Sequence, residues 1–140
     1  MTFSLSAELP EDLEHLPHLR RTVREALTLC RVCVDDIDTV ELLLGELATN
    51  AACHANAGQY HVNMEVSDMQ AVLTVTDSGI GFRRDAVLPP ATLRPGFDGG
   101  VDRIGGMGIP LVEILADEVV FTAMQPRGTS VQATKRIRFR

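Results

Sequence analysis

The spacing of the apolar residues changes after about residue 54, and that change decides what the chain can fold into. From about residue 11 to residue 54 they recur at helical intervals; from residue 61 they alternate with polar residues. Residues 11 to 30 read as a helix, with Leu13, Leu16, Leu19, Val23, Leu27 and Cys30 on one face and Arg20, Arg21 and Arg24 off it. Pro17 is tolerated only in a first helical turn, so this helix starts in earnest at or just before it. A second helix runs from about Asp36 to His54. Asp35 or Asp36 serves as its N-cap, and Ile37, Val40, Leu44, Leu47 and Ala51 form its buried stripe.

Alternation then takes over. HVNMEV (61–66) and AVLTVT (71–76), separated by Ser67-Asp68, predict a hairpin, and Phe3 and Leu5 start a short strand. Residues 83–106 are rich in proline and glycine and read as a long loop, which in a compact domain is usually functional. A short helix from about Gly108 to Ala116 and two strands, 118–124 and 129–139, complete the chain. The expected fold is α+β: a two-layer sandwich with a mostly antiparallel mixed sheet and helices on one face, in a single domain over 1–140.

Composition narrows the function. An apolar fraction of 45% supports one proper core. No apolar run approaches the roughly 18 to 20 residues that cross a bilayer. The N-terminal MTFSLSAELPEDLEHL lacks the order of a signal peptide, so a cytoplasmic protein without membrane contact is expected. A net charge of −6 argues against direct nucleic-acid binding. The basic tail KRIRFR places Ile137 and Phe139 on one face and Arg136, Arg138 and Arg140 on the other, as in an outer strand with a solvated side. A zinc site could be drawn from Cys30, Cys33, Cys53 and His54. However, one C-x-x-C without a second matching knuckle, on segments that already pack, points instead to reduced, partly buried cysteines.

Several short stretches could carry chemistry. In GELATNAACHA, Glu46, Asn50 and His54 form a line up one side of the second helix, away from its apolar stripe. A carboxylate and an amide one turn apart suit a hydrated divalent cation and a positioned hydroxyl, although such a line could also face solvent or pair with arginines. In DSGIGF, Asp77 ends a strand, where it can accept a hydrogen bond from an exocyclic amine, while Gly79 and Gly81 permit a tight turn. An ordinary strand-to-loop turn would read the same way. In GGMGIPLVEILADE, glycines lead into a helix whose free N–H groups suit phosphate oxygens. This run is no P-loop, and it does not follow a strand as a dinucleotide-binding glycine run should. Arg127-Gly128-Thr129 begins the last strand, where a hydroxyl could lie near Asp77.

In order, GELATNAACHA, DSGIGF, GGMGIP and RGTSV resemble the N, G1, G2 and G3 boxes of the GHKL ATPase superfamily, whose ATP-binding domain is the Bergerat fold. The short form, with a helix before the N box, resembles the anti-sigma factor serine/threonine kinases. The resemblance implies ATP and Mg²⁺ as ligands. Asn50 would hold the Mg²⁺, and Glu46 would act as general base. Asp77 would read the adenine amine, helped by Thr129, and Gly79 and Gly81 would shape the pocket floor. Gly106, Met107, Gly108 and Ile109 would hold phosphates, with residues 83–106 as the lid and His54 in a packing or lid contact. The family's G2 box commonly reads G-x-G-L; here Ile109 and Pro110 follow Gly108, which removes one possible phosphate donor. The implied partners are an anti-sigma factor antagonist, a sigma factor, or both, with a possible homodimer.

Three functions follow. The chain could be a kinase acting on an anti-sigma factor antagonist. It could be a binding module that sequesters a sigma factor or another regulator with little turnover. Or it could be a plain α+β interaction domain without a nucleotide. Phosphoryl transfer to an antagonist separates the first from the second, and ATP binding separates both from the third.

Overall fold

The computed structural model describes residues 2–54, 58–77, 111–123 and 128–140, with nothing assigned to the side chains of Cys53 and His54. Its elements are β1 (Phe3–Pro10), α1 (Leu16–Leu29), α2 (Val34–His54), β2 (Gln59–Ser67), β3 (Gln70–Asp77), β4 (Glu118–Ala123) and β5 (Thr129–Arg136). A helical stretch at 111–115 precedes β4. The strands form one sheet in the order β1-β2-β3-β5-β4, and every pairing among them is antiparallel. The α+β sandwich expected from the sequence is therefore present, without a parallel pair among the described strands.

One face of the sheet is apolar and meets the helices. Val62, Met64 and Val66 of β2, Ala71, Leu73 and Val75 of β3, and Val131 and Ala133 of β5 are buried there. From the helices, Val23 and Leu27 of α1 and Ile37, Val40, Leu43, Leu44, Leu47 and Ala51 of α2 close the core. Helical spacing on one side and period-two alternation on the other turn the apolar residues inward on both layers. Burying each large aliphatic side chain contributes about 1.5–3 kcal/mol. The two helices are also linked at the surface, where Arg24 of α1 pairs with Asp38 and Glu41 of α2.

The structure departs from the sequence reading in five places. β1 runs the full length from Phe3 to Pro10, because Ala7 and Leu9 continue the alternation and β2 is long enough to pair with all of it. Leu13 lies on the connector before α1 and is 44% exposed, so it is not part of the helix's buried face. Neither Asp35 nor Asp36 caps α2. The helix starts at Val34, the Cys33 carbonyl accepts the Asp36 and Ile37 N–H groups, and the Asp36 side chain is taken by Arg138. The hairpin turn is Asp68-Met69, with φ of 39° and 61°, one residue later than Ser67-Asp68. Positive φ at both central residues is what a two-residue hairpin loop needs to match strand twist. Finally, β5 ends at Arg136. The tail then crosses to the α1–α2 linker, where Val32 bridges to Phe139 and the Cys33 N–H bonds the Arg138 carbonyl. Ile137 is buried while Phe139 is 39% exposed, so the two do not share one environment.

These contacts orient α2 along the sheet. Its first turn is tied to Arg138, beyond the Gln70–Arg136 end of the β3–β5 ladder. Its last turn leads into β2, beside the opposite end, where Tyr60, Asp77 and Thr129 stand in register. At about 1.5 Å per helical residue and 3.3 Å per strand residue, the C-terminal half of α2 overlies that second end.

Candidate functional site

Two predicted residues are brought together by strand register. Asp77 is the last residue of β3 and Thr129 the first of β5, and their Cα atoms are direct partners. Cross-strand partners present their side chains on one face about 4.5–5.5 Å apart. Asp77 is 7% exposed and Thr129 5%, on the side that faces the helices. A carboxylate and a hydroxyl thus sit side by side in a mostly apolar layer. Both take part in interactions within the fold.

Asn50 and Glu46 come from α2, at the same end of the sheet. Asn50 is 4% exposed, and its Oδ1 has no hydrogen-bond partner among the described residues. Leaving a buried amide oxygen unpaired costs about 1–3 kcal/mol, so the atom calls for a water, an ion or a ligand group. Glu46, one turn earlier, is half-buried. The alternative of a polar line facing solvent is therefore excluded at Asn50. An amide oxygen one turn from a half-buried carboxylate could hold one position of a hydrated divalent cation, whose other ligands would be waters or phosphate oxygens.

The remaining predicted residues are not placed. Gly79, Gly81, Gly106, Met107, Gly108 and Ile109 lie outside the described residues, as does the stretch 83–106. Of the candidate zinc ligands, Cys30 is buried at the end of α1 and Cys33 is half-buried at the start of α2. The group of described residues whose ligand atoms lie close enough for a metal is a different one: Asp12, Glu14 and His15, all exposed on the connector before α1.

Sequence reasoning passed over Tyr60. It is the direct Cα partner of Asp77 on the side away from Thr129, is 1% exposed, and has a hydroxyl without a hydrogen-bond partner among the described residues. Burial, together with the nearby charge of Asp12, pushes its phenol pKa above the ordinary value, so the hydroxyl keeps its proton. The available signal was the hairpin register, since a turn at Asp68-Met69 sets this lone tyrosine opposite Asp77.

A cavity of about 690 Å³ lies at the other end of the sheet, beside the hairpin turn and the tail, with Asp36, Met69, Lys135 and Arg138 in its lining. Among the described residues, none of Glu46, Asn50, Asp77 and Thr129 lines it. Position along α2 and strand register, rather than this hollow, locate the candidate site.

Comparison with known proteins agrees with this placement of the fold. Serine-protein kinase RsbW of Staphylococcus aureus is 27% identical over 142 residues, an alignment that covers 96% of this chain and 87% of that protein. The solved RsbU and RsbW domains of Rv1364c from Mycobacterium tuberculosis superpose with a TM-score of 0.65 at 17% identity, covering 96% of this chain and 32% of that longer one. The SiaB-SiaC complex from Pseudomonas aeruginosa gives a TM-score of 0.70 at 15% identity, covering 93% of this chain and 88% of the matched one. At these identities the two structures speak for the fold alone. The histidine kinase-like ATPase domain family matches residues 9–135, from β1 into β5, and this chain belongs to that family.

Proposed function

We propose that the protein is an ATP- and Mg²⁺-dependent serine/threonine kinase of the anti-sigma-factor type, acting on an anti-sigma factor antagonist. Membership of an ATPase-domain family implies ATP as the ligand. The similarity to serine-protein kinase RsbW over most of both chains supports a protein serine or threonine as acceptor. The observation that carries the reading is the buried Oδ1 of Asn50, unpaired among the described residues, one turn from the half-buried carboxylate of Glu46 and at the same end of the sheet as Asp77 and Thr129.

Each residue has a role in this reading. Asn50 offers its oxygen to the cation. Glu46 orients the acceptor hydroxyl and takes its proton as general base. Asp77 accepts from the adenine amine, with the Thr129 hydroxyl beside it. Gly79 and Gly81 shape the floor of the pocket, the N–H groups around Gly106, Met107, Gly108 and Ile109 face the phosphates, and residues 83–106 form the lid. Bound Mg²⁺ would supply charge neutralisation at the transferring phosphoryl group; the protein's own contribution is positioning. One domain spanning residues 1–140 holds all of these groups. Among the described residues no helix is long and apolar enough to cross a membrane. The reading places the protein in the cytoplasm, where sigma factors and their regulators act.

The test is incubation with γ-labelled ATP, Mg²⁺ and a candidate antagonist. Label should pass to a serine or threonine of the antagonist with the wild type and not with Glu46→Gln, while both bind ATP. Equal transfer by the two proteins removes Glu46 as base. ATP binding without transfer by the wild type favours the sequestering module instead.

A further inference from the structure

The cavity of about 690 Å³ at the hairpin end of the sheet has no part in the nucleotide reading. Its volume falls in the range of ligand pockets, roughly 300–1,000 Å³. Its origin lies in the strand register. β3 and β5 pair as far as Gln70 and Arg136. The tail runs on past them, tied by the Ile137 N–H to the Met69 carbonyl at 2.9 Å and by Arg138 to Asp36. On β5, Val131, Ala133 and Lys135 share the face that meets the helices. The first two are buried in the core. At Lys135 the apolar layer gives out: this residue is half-buried and lines the hollow together with Asp36 and Arg138.

Three cations, Lys135, Arg136 and Arg138, line the hollow against two acids, Asp36 and Asp68. Asp36 is already committed, since both of its oxygens accept from Arg138. Lys135, the single lysine of the chain, forms no ion pair with any described residue, and neither does Arg136. Arg138 is held in place by Asp36 while its side chain stays 67% exposed. Arg31 and Arg140, both exposed and joined from the Arg140 N–H to the Arg31 carbonyl, extend the basic surface. In a protein of net charge −6 this is a local excess of the opposite sign. Apolar walls accompany it: Ile137, and Met69, which is 62% exposed.

A partly desolvated ammonium beside a pre-oriented guanidinium favours carboxylates, and an exposed thioether adapts to an apolar side chain. A bare anion would leave the apolar walls uncovered, and a flat bilayer surface does not fill a concavity. A peptide with acids on either side of an apolar residue satisfies both parts of the lining. We infer that this hollow docks an acidic segment of a protein partner, with Lys135 and Arg138 receiving its carboxylates and Met69 and Ile137 holding its apolar side chain. The surface lies at the end of the sheet away from Asp77 and Thr129, so the inference does not rest on the nucleotide reading.

The test starts from a phage-displayed library of random twelve-residue peptides selected on the full chain. Enriched sequences are made with a fluorescein label and titrated by anisotropy against the wild type, Lys135→Gln, Lys135→Arg and Met69→Ser. Both Lys135 and Met69 are at least partly exposed, so the variants should melt with the wild type. Enriched peptides should carry aspartate or glutamate around an apolar residue. Their affinity should fall about 5- to 10-fold in Lys135→Gln, return toward the wild type in Lys135→Arg, fall in Met69→Ser, and weaken with added salt. A library without enriched sequences overturns the inference, as do enriched peptides that lack acids or that bind all four proteins equally. Phosphatidylserine vesicles supply the other arm. Co-sedimentation of the wild type but not of Lys135→Gln assigns the surface to a membrane and also overturns it.

Discussion

Asp36 and Arg138, 102 positions apart, are joined by three hydrogen bonds: Asp36 Oδ2 accepts from the Arg138 backbone N–H at 2.7 Å and from Nε at 3.0 Å, and Oδ1 accepts from Nη2 at 3.0 Å. The carboxylate is buried and the guanidinium largely exposed. This pair fastens the tail to the first turn of α2. The bonds from Arg138 hold the Asp36 carboxyl below the usual carboxylate range, against the opposing effect of burial.

The folded pKa therefore lies below the unfolded one, so the stability this pair contributes is fully present above about pH 4 and is lost as the pH falls through the folded value. Asp36→Asn should lower the melting temperature at pH 7 by roughly 3–6 °C. It should also flatten the acid limb of the stability curve. Thermal melts from pH 7 down to pH 3 check both. A variant whose melts track the wild type throughout would show that the pair is idle.

At the other end of the sheet, Asp77→Asn replaces an acceptor by a group that also donates toward the base amine. ATP affinity should fall at least tenfold, and Thr129→Val should lower it by a smaller factor. Because the two residues are direct Cα partners, their effects should not add in the double variant. Titration with ATP measures all four proteins. Strict additivity would mean that the two side chains serve different ligands.

Asn50→Ala should separate binding from folding. The wild-type Oδ1 has no partner among the described residues, so removing it should cost the nucleotide-free protein little. With ligand at a hundred times Kd, Mg-ATP should stabilise the wild type by about 2.7 kcal/mol and the variant far less. Melts with and without Mg-ATP read both quantities. Equal stabilisation in the two proteins would remove Asn50 from the cation site.

Gly45 precedes Glu46 in the buried middle of α2. A Cβ added there would meet the Arg20 guanidinium at 3.7 Å, an ordinary contact with a flexible side chain. Gly45→Ala should therefore raise stability by about 0.5–1 kcal/mol through helix propensity. Denaturant unfolding checks this. A destabilised variant would mean that α1 and α2 pack more closely here than this contact indicates.

The legible parts of the fold were those set by local periodicity. Ile37, Val40, Leu44, Leu47 and Ala51 announce a buried face because each sits three or four residues from the next, and all five are buried. The β2–β3 hairpin is equally local. Asp36 was misread because its strongest partner lies near the other end of the chain, so the rule that aspartate caps helices had no competitor in the sequence. The tail was misread for the same reason: Ile137 and Phe139 alternate like strand residues, but only tertiary structure takes the chain away from β3 after Arg136. Within the candidate site, Asp77, Asn50, Glu46 and Thr129 could be read from motif order. Tyr60 belongs to no motif and becomes visible only when strand register is known.

The partnership of Asp77 with Thr129 also has a consequence during synthesis. The row they share with Tyr60 exists only after β5 has inserted between β3 and β4. A ribosome-bound chain that ends before residue 129 can form the β2–β3 hairpin and still lack Thr129 beside Asp77, the pair proposed above to meet the base. Capture of nucleotide by nascent chains of increasing length should accordingly switch on late, making the ligand a reporter of sheet closure as much as a reactant.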